Sequence, residues 1–86
     1  MNIRTTAYFD KNLSKKLRKN SQLNSKVKKQ IELLKENPRH PSLRLHKLSG
    51  KREQEYSFWI EGNLRITFVM IDNTILFTDI ITHDEY

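Results

Sequence analysis

One arginine and two histidines are the residues of this chain that could together break a phosphodiester bond. Arg65 is the only Lys or Arg after Arg52, and it stands among apolar and acidic residues. A guanidinium group in such surroundings can hold a phosphate through two parallel hydrogen bonds. His46 and His83 carry imidazole groups, which accept or donate protons near neutral pH. Each residue alone also fits a simpler interpretation, an ion pair for Arg65 and a surface position for each histidine.

Cleavage of RNA without a metal needs these three kinds of group. A base removes the proton of the 2′-OH, a cation stabilises the charged phosphorane, and an acid protonates the leaving 5′-oxygen. Cations near His46 could hold the RNA backbone, and two aromatic residues could stack on a base. The candidate RNA-binding residues are Arg44, Lys47, Lys51, Arg52, Trp59 and Tyr86. The alternatives are solubilising lysines and an ordinary packing role for the tryptophan.

The first half of the chain is predicted to form a strand and two helices. Residues 2–9 alternate apolar and polar side chains, which is typical of a strand. Asp10 is then expected to cap a first helix. A second helix is predicted from residue 24 or 25 to 37, because Val27, Ile31 and Leu34 follow helical spacing. Together they predict a lysine-rich helical hairpin.

The second half changes to a period of two residues and predicts an antiparallel β-meander. A short strand is possible at 42–48, and stronger patterns occupy 55–61, 64–71 and 74–82. Tight turns are expected at Gly62-Asn63 and at Asp72-Asn73. The predicted fold class is therefore α+β, with the N-terminal strand and helical hairpin packed on the meander as a two-layer sandwich.

This topology brings Arg65 close to the C-terminal histidine. Arg65 begins one strand, and the following strand returns antiparallel and ends beside His83. For either length of the connecting turn, Arg65 pairs between Ile80 and Thr82. We therefore expect Arg65 and His83 at the same end of the sheet, within reach of each other's side chains. The register decides the face to which each side chain points, and the sequence leaves both faces open.

Composition and charge set the class of protein. Eighty-six residues are expected to form one domain, 1–86. The chain has no cysteine and no apolar run long enough to span a membrane, which predicts a cytoplasmic protein without a membrane partner.

Residues 1–54 hold fifteen Lys or Arg and only four acids. Such a basic half suggests nucleic acid as partner, and the alternative from charge alone is a solvated face that keeps the protein soluble. No glycine-rich phosphate loop or metal-ligand spacing occurs, so we expect no cofactor and no metal.

Three segments of the sequence resemble a known family. These are "HKLSG" at 46–50, "NLRITF" at 63–68 and "THDEY" at 82–86, within a similarity that spans nearly the whole chain. The chain resembles the RelE/ParE superfamily of bacterial type II toxins, and is most similar to the RelE branch with YafQ-like and YoeB-like features. The resemblance implies a RelE-like fold and a metal-independent endoribonuclease that cuts mRNA in the ribosomal A site, next to 16S rRNA. It also implies a cognate antitoxin as partner.

The resemblance assigns roles to individual residues. Arg65 matches the arginine expected to stabilise the scissile phosphate, and His83 matches the expected general acid or base. His46 matches a histidine of YafQ-like members and is our choice of general base, with His83 performing both proton transfers as the alternative. Tyr86 matches a terminal aromatic that stacks on or orients the substrate. Lys47, Lys51 and Arg52 lie in the loop expected to meet RNA.

The chain also departs from its relatives. Ser57 and Trp59 stand where RelE has lysines, Ser42 stands where YoeB-like toxins have a glutamate base, and Asn63 replaces an aspartate of YafQ-like toxins. A different class of function therefore stays open, a ParE-like inhibitor of DNA gyrase that does no chemistry. A third possibility is an inactive relative that only binds DNA or an antitoxin.

Overall fold

Two helices cover one face of a five-stranded sheet. The computed structural model describes residues 2–48 and 54–82. Its elements are β1 (Asn2–Thr5), α1 (Ala7–Lys19), α2 (Leu23–Glu36), a 3₁₀ turn (Pro41–Leu43), β2 (His46–Lys47), β3 (Tyr56–Glu61), β4 (Leu64–Ile71) and β5 (Thr74–Thr82). The predicted α+β class, with a helical hairpin on a sheet, is confirmed. No helix in the described ranges is long and apolar enough to cross a membrane.

The strands lie in the order β1-β5-β4-β3-β2. Strands β2 to β5 form the predicted antiparallel meander. Strand β1 runs parallel to β5, with Asn2 opposite Thr74 and Thr5 opposite Phe77. Because β1 and β2 lie at opposite edges, the helical hairpin between them must cross the sheet, and it therefore covers one face.

Both predicted tight turns are present. Gly62 and Asn63 join β3 to β4, and Asp72 and Asn73 join β4 to β5. The first residue of each turn has a positive φ, 53° at Gly62 and 54° at Asp72. Glycine and aspartate are among the residues that accept this left-handed conformation, which two-residue hairpin turns require. Each turn sets the register of the residues beside it, and the register shifts once further along each hairpin.

The core lies between the helices and the sheet. The rings of Phe9 and Phe58 both contact Phe77, with centroid distances of 5.3 and 5.6 Å. The fully buried aliphatic side chains are Leu34, Leu43, Ile60, Ile66 and Ile80. They come from α2, the 3₁₀ turn and three strands, so burial of apolar surface joins the two layers.

The predicted boundary between the first strand and the first helix is wrong. The strand ends at Thr5, not at residue 9, and α1 begins at Ala7 with Thr6 rather than Asp10 as its N-cap. The Thr6 hydroxyl accepts a hydrogen bond from the Phe9 amide at 3.1 Å and donates one to the Phe77 carbonyl at 3.0 Å. The helix therefore starts one turn early because this cap places Phe9 in the core.

The segment before β3 also differs from the prediction. The strand predicted at 42–48 is replaced by the 3₁₀ turn and the two-residue strand β2. The turn ends at Arg44, which adopts a left-handed conformation with φ 46°. Leu43 is fully buried, and its burial needs the chain to curl inward before β2 begins. The second helix, in contrast, lies within two residues of its predicted bounds.

Candidate active site

The face of the sheet opposite the helices carries polar side chains, and we call it the polar face. Phe58 and Ile66 point into the core, so their strand neighbours Ser57, Arg65 and Thr67 point the other way. Ser57 and Thr67 lie directly opposite each other on β3 and β4. Both are completely buried although they are polar. The polar face is therefore a defined surface and not simply the solvent side of the sheet.

Arg65 lies on the polar face, at the end of the sheet that the sequence predicted. It pairs with Ile81, and Leu64 pairs with Thr82, the last described residue of the chain. The predicted pairing of Arg65 between residues 80 and 82 is thus confirmed. His83 follows directly in the sequence but lies outside the described residues.

Three of the candidate RNA-binding residues also lie outside the described residues. They are Lys51, Arg52 and Tyr86.

The Arg65 side chain is half-buried, although it lies near the end of the sheet. Its Nε and Nη1 atoms are buried, and within the described ranges neither has a hydrogen-bond acceptor. A buried donor without an acceptor is unfavourable by about 1–3 kcal/mol, and more when the donor is charged. A phosphate bound at this guanidinium would supply acceptor oxygens and the opposite charge.

His46 lies on β2, opposite Ser57. Its Nδ1 atom is 3.0 Å from the carbonyl oxygen of Arg44, and its Nε2 atom is 3.5 Å from Ser57 Oγ. A carbonyl oxygen only accepts hydrogen bonds, so Nδ1 must carry the proton. In the neutral imidazole the lone pair is then on Nε2, which faces the polar face. This arrangement suits a general base.

Strand geometry places the Arg65 and His46 backbones about 12 Å apart. His46 is two strands away from Thr67, and Arg65 is two residues along from Thr67. Strand spacings of about 4.8 Å and a rise of about 3.3 Å per residue give this separation. The two long side chains can therefore approach a single phosphodiester lying on the polar face, although they do not contact each other directly.

Sequence reasoning missed a hydroxyl and carboxylate network on the same face. Thr67 and Thr78 share a hydrogen bond of 2.8 Å between their hydroxyl oxygens, and Thr78 Oγ1 donates to Glu55 Oε2 at 3.1 Å. A β-bulge next to Thr67 brings Thr78 into this position, because one residue of β5 has no partner there. A bulge leaves no periodic signal in the sequence, so the network could not be predicted.

Trp59 is held at the edge of the sheet beside two cations. The Arg44 guanidinium carbon lies 4.6 Å from the centroid of the indole ring, and Lys26 Nζ lies 5.5 Å from it. The indole Nε1 donates to the Gly62 carbonyl at 2.8 Å. Lys47 is exposed on β2. An RNA-binding role for Arg44, Lys47 and Trp59 stays a prediction.

The described residues contain no group of three His, Asp or Glu side chains that could hold a metal ion. A basic groove with a volume of about 310 Å³ runs between α1 and β5. It is lined by Tyr8, Asn12, Lys15, Lys16, Lys19, Asp79 and Ile80. The groove lies on the helical layer, away from the polar face, and its lysines give that layer a positive surface.

At the level of sequence, no protein-family model and no curated protein matches the chain. Solved structures do match it. YafQ from Escherichia coli superposes with a TM-score of 0.80 at 20% identity, covering 98% of this chain and 94% of that one. A YoeB/ParE toxin from Agrobacterium tumefaciens gives 0.79 at 15% identity, covering 96% and 99%.

A structure of the E. coli DinJ-YafQ toxin-antitoxin complex also matches. Its TM-score is 0.78 at 20% identity, covering 98% of this chain and 93% of that one. Identities this low establish the architecture alone, and that architecture extends over nearly the whole chain. The resemblance expected from the sequence is therefore confirmed in three dimensions: this chain has the RelE-like fold of the YafQ and YoeB/ParE toxins.

Proposed function

We propose that the chain is the toxin of a type II toxin-antitoxin system and an endoribonuclease that cleaves mRNA on the ribosome. The shared fold of YafQ and YoeB/ParE toxins supports the toxin assignment. The observation that carries the nuclease assignment is Arg65, whose buried Nε and Nη1 lack acceptors among the described residues. An RNA phosphate would bring acceptor oxygens and the opposite charge to this guanidinium.

The proposed reaction is an attack of the ribose 2′-oxygen on the adjacent phosphorus. His46 Nε2 takes the proton of the 2′-OH, and Arg65 stabilises the extra negative charge on the phosphorane. The bond from phosphorus to the 5′-oxygen then breaks. His83 donates a proton to that oxygen. The products are a 2′,3′-cyclic phosphate and a 5′-hydroxyl end, so every atom and proton is accounted for without a metal or cofactor.

The basic helical layer is proposed to contact the ribosome. Lys15, Lys16 and Lys19 of α1 line one groove, and phosphate oxygens of 16S rRNA near the A site would complement their charge. Affinity for ribosomes should then fall steeply with salt, because bound phosphates release counterions. These partners would place the protein in the cytoplasm.

A cognate antitoxin is the proposed protein partner. Support comes from the matching DinJ-YafQ toxin-antitoxin complex, in which a protein of this fold is bound by its antitoxin. An antitoxin with an acidic segment would suit the positive surface of the helical layer.

Induction of the chain in bacterial cells tests the function. Growth arrest with mRNA cut inside reading frames, and cleavage by the purified protein only when ribosomes are present, are the expected results. The competing function is the ParE-like inhibition of DNA gyrase. Its support is the structural match to a YoeB/ParE toxin. Arrest with filamentation, DNA damage and intact mRNA would establish that function instead.

A further inference from the structure

We infer that Arg44 is a positioning residue that fixes the imidazole of His46 in the tautomer needed for proton abstraction. The chemical consequence rests on the proposed nuclease function, but the tautomer itself can be measured without any RNA. The sequence suggested only an RNA-binding role for Arg44. The structure instead gives its backbone and its guanidinium separate contacts next to His46.

The backbone of Arg44 is unusual. Its φ of 46° and ψ of 44° lie in the left-handed region, which costs a non-glycine residue about 1 kcal/mol or more. The Arg44 amide donates to the Pro41 carbonyl at 3.1 Å and closes the 3₁₀ turn. In this conformation the Arg44 carbonyl points to His46 Nδ1 at 3.0 Å. A residue in an extended conformation would aim that carbonyl elsewhere.

The guanidinium group compensates for this backbone conformation. It lies over the Trp59 ring at 4.6 Å, a distance that allows an attractive cation–π interaction. The ring is itself fixed, because Trp59 donates to the Gly62 carbonyl and accepts from Gln30 Nε2 at 2.9 Å through its own carbonyl. Arg44 is thus held at both ends, its side chain by a rigid indole and its backbone by the 3₁₀ turn.

The hydrogen bond to the Arg44 carbonyl decides what His46 can do. With the proton on Nδ1, the neutral ring exposes an acceptor at Nε2. Ser57 Oγ is 3.5 Å away, too far to form a strong hydrogen bond with it. When Nε2 takes a proton, the Nδ1–H bond to the carbonyl becomes charge-assisted and stronger. The Arg44 carbonyl therefore stabilises both the correct tautomer and the imidazolium that forms.

The ¹⁵N chemical shifts of the imidazoles report the tautomer directly. Spectra are recorded at about pH 9, where histidine side chains in general are neutral, and His46→Gln assigns the signals. His46 should show a protonated Nδ1 and an unprotonated Nε2. His40 is an internal control with the opposite tautomer, because its Nδ1 accepts from the Ser42 amide at 3.1 Å.

Two substitutions separate positioning from RNA binding. Arg44→Gly removes the guanidinium but favours the left-handed backbone, so the Nδ1–H tautomer of His46 should persist. Arg44→Val disfavours that backbone and should yield a mixture of tautomers. Arg39→Val, the same change at an exposed arginine of the same loop, should leave His46 as in the wild type.

Cleavage of ribosome-bound mRNA should follow the tautomer. Arg44→Gly and Arg44→Val both lack the guanidinium, so their difference isolates the backbone: we expect the single-turnover rate of Arg44→Val to be about 10- to 100-fold lower than that of Arg44→Gly, a part of the usual acid–base contribution. A wild-type His46 with its proton on Nε2 would overturn the inference. So would equal tautomer populations in the Gly and Val variants. A wild-type protein that cleaves no RNA would instead overturn the proposed function, while the shifts still test Arg44.

Discussion

The two faces of the sheet differ in chemistry, although alternate residues of the same strands form them: one is apolar and the other is polar. The covered face presents Phe58 and Ile66 to the helices, and both are completely buried in the apolar core. The polar face presents Ser57 and Thr67, equally buried but hydrogen-bonding. One residue along a strand thus separates a side chain that stabilises the fold from one that can organise chemistry. Substitutions on the two faces should therefore have separable effects.

The largest expected effect on stability comes from the covered face. Phe77 contacts both Phe9 and Phe58, so Phe77→Ala removes the ring that joins α1 to the sheet. We expect the free energy of unfolding to fall by about 3–5 kcal/mol in a urea titration followed by circular dichroism. Ile71→Ala, at a residue 53% exposed, is the control and should change it by less than about 1 kcal/mol. Similar losses in both variants would contradict the assigned core.

A smaller effect is expected on the polar face. Thr67→Val and Thr78→Val each remove one hydroxyl from a hydrogen bond of 2.8 Å and keep the side-chain volume nearly constant. Each should lower the free energy of unfolding by about 1–2 kcal/mol. The double variant should lose less than the sum of the two, because both single changes break the same bond. Strict additivity would show that the two hydroxyls do not interact.

The smallest effect tests the helix cap that links the two layers. Thr6→Ala removes the hydroxyl that accepts from the Phe9 amide and donates to the Phe77 carbonyl. We expect a loss of about 1 kcal/mol in the free energy of unfolding. Thr6→Ser keeps the hydroxyl and should be close to wild type. If the Ala and Ser variants are equally destabilised, the loss comes from the methyl group and not from the cap.

Much of the secondary structure that positions the candidate site was predictable from the sequence. The two-residue turn at Asp72 limits the partner of Arg65 to residues 80–82, and the bulge at Thr78 then selects Ile81. The amphipathic pattern of Val27, Ile31 and Leu34 likewise located α2.

Prediction from local sequence failed where two residues could cap the same helix, and where a contact between residues far apart in the chain determined the backbone conformation. Thr6 and Asp10 are both good N-caps, and only the contact of Phe9 with Phe77 selects Thr6. The bulge at Thr78 and the left-handed Arg44 depend on packing against residues far along the chain, which periodicity does not report. Arg65 and His46 were therefore identified as candidate residues from the sequence, but the face that they share and the contacts that surround them were not.

The most direct test of the account is the single-turnover rate of cleavage of ribosome-bound mRNA by Arg65→Gln. Glutamine keeps hydrogen-bond donors but removes the positive charge that is proposed to hold the phosphate. The matched control is Arg4→Gln, at an exposed arginine on β1. We predict that Arg65→Gln lowers the rate by about 10²-fold or more while Arg4→Gln leaves it unchanged. If folded Arg65→Gln instead cleaves within about threefold of the wild-type rate, the role of Arg65 is contradicted, because loss of one oxyanion donor typically lowers the rate by about 10²-fold or more.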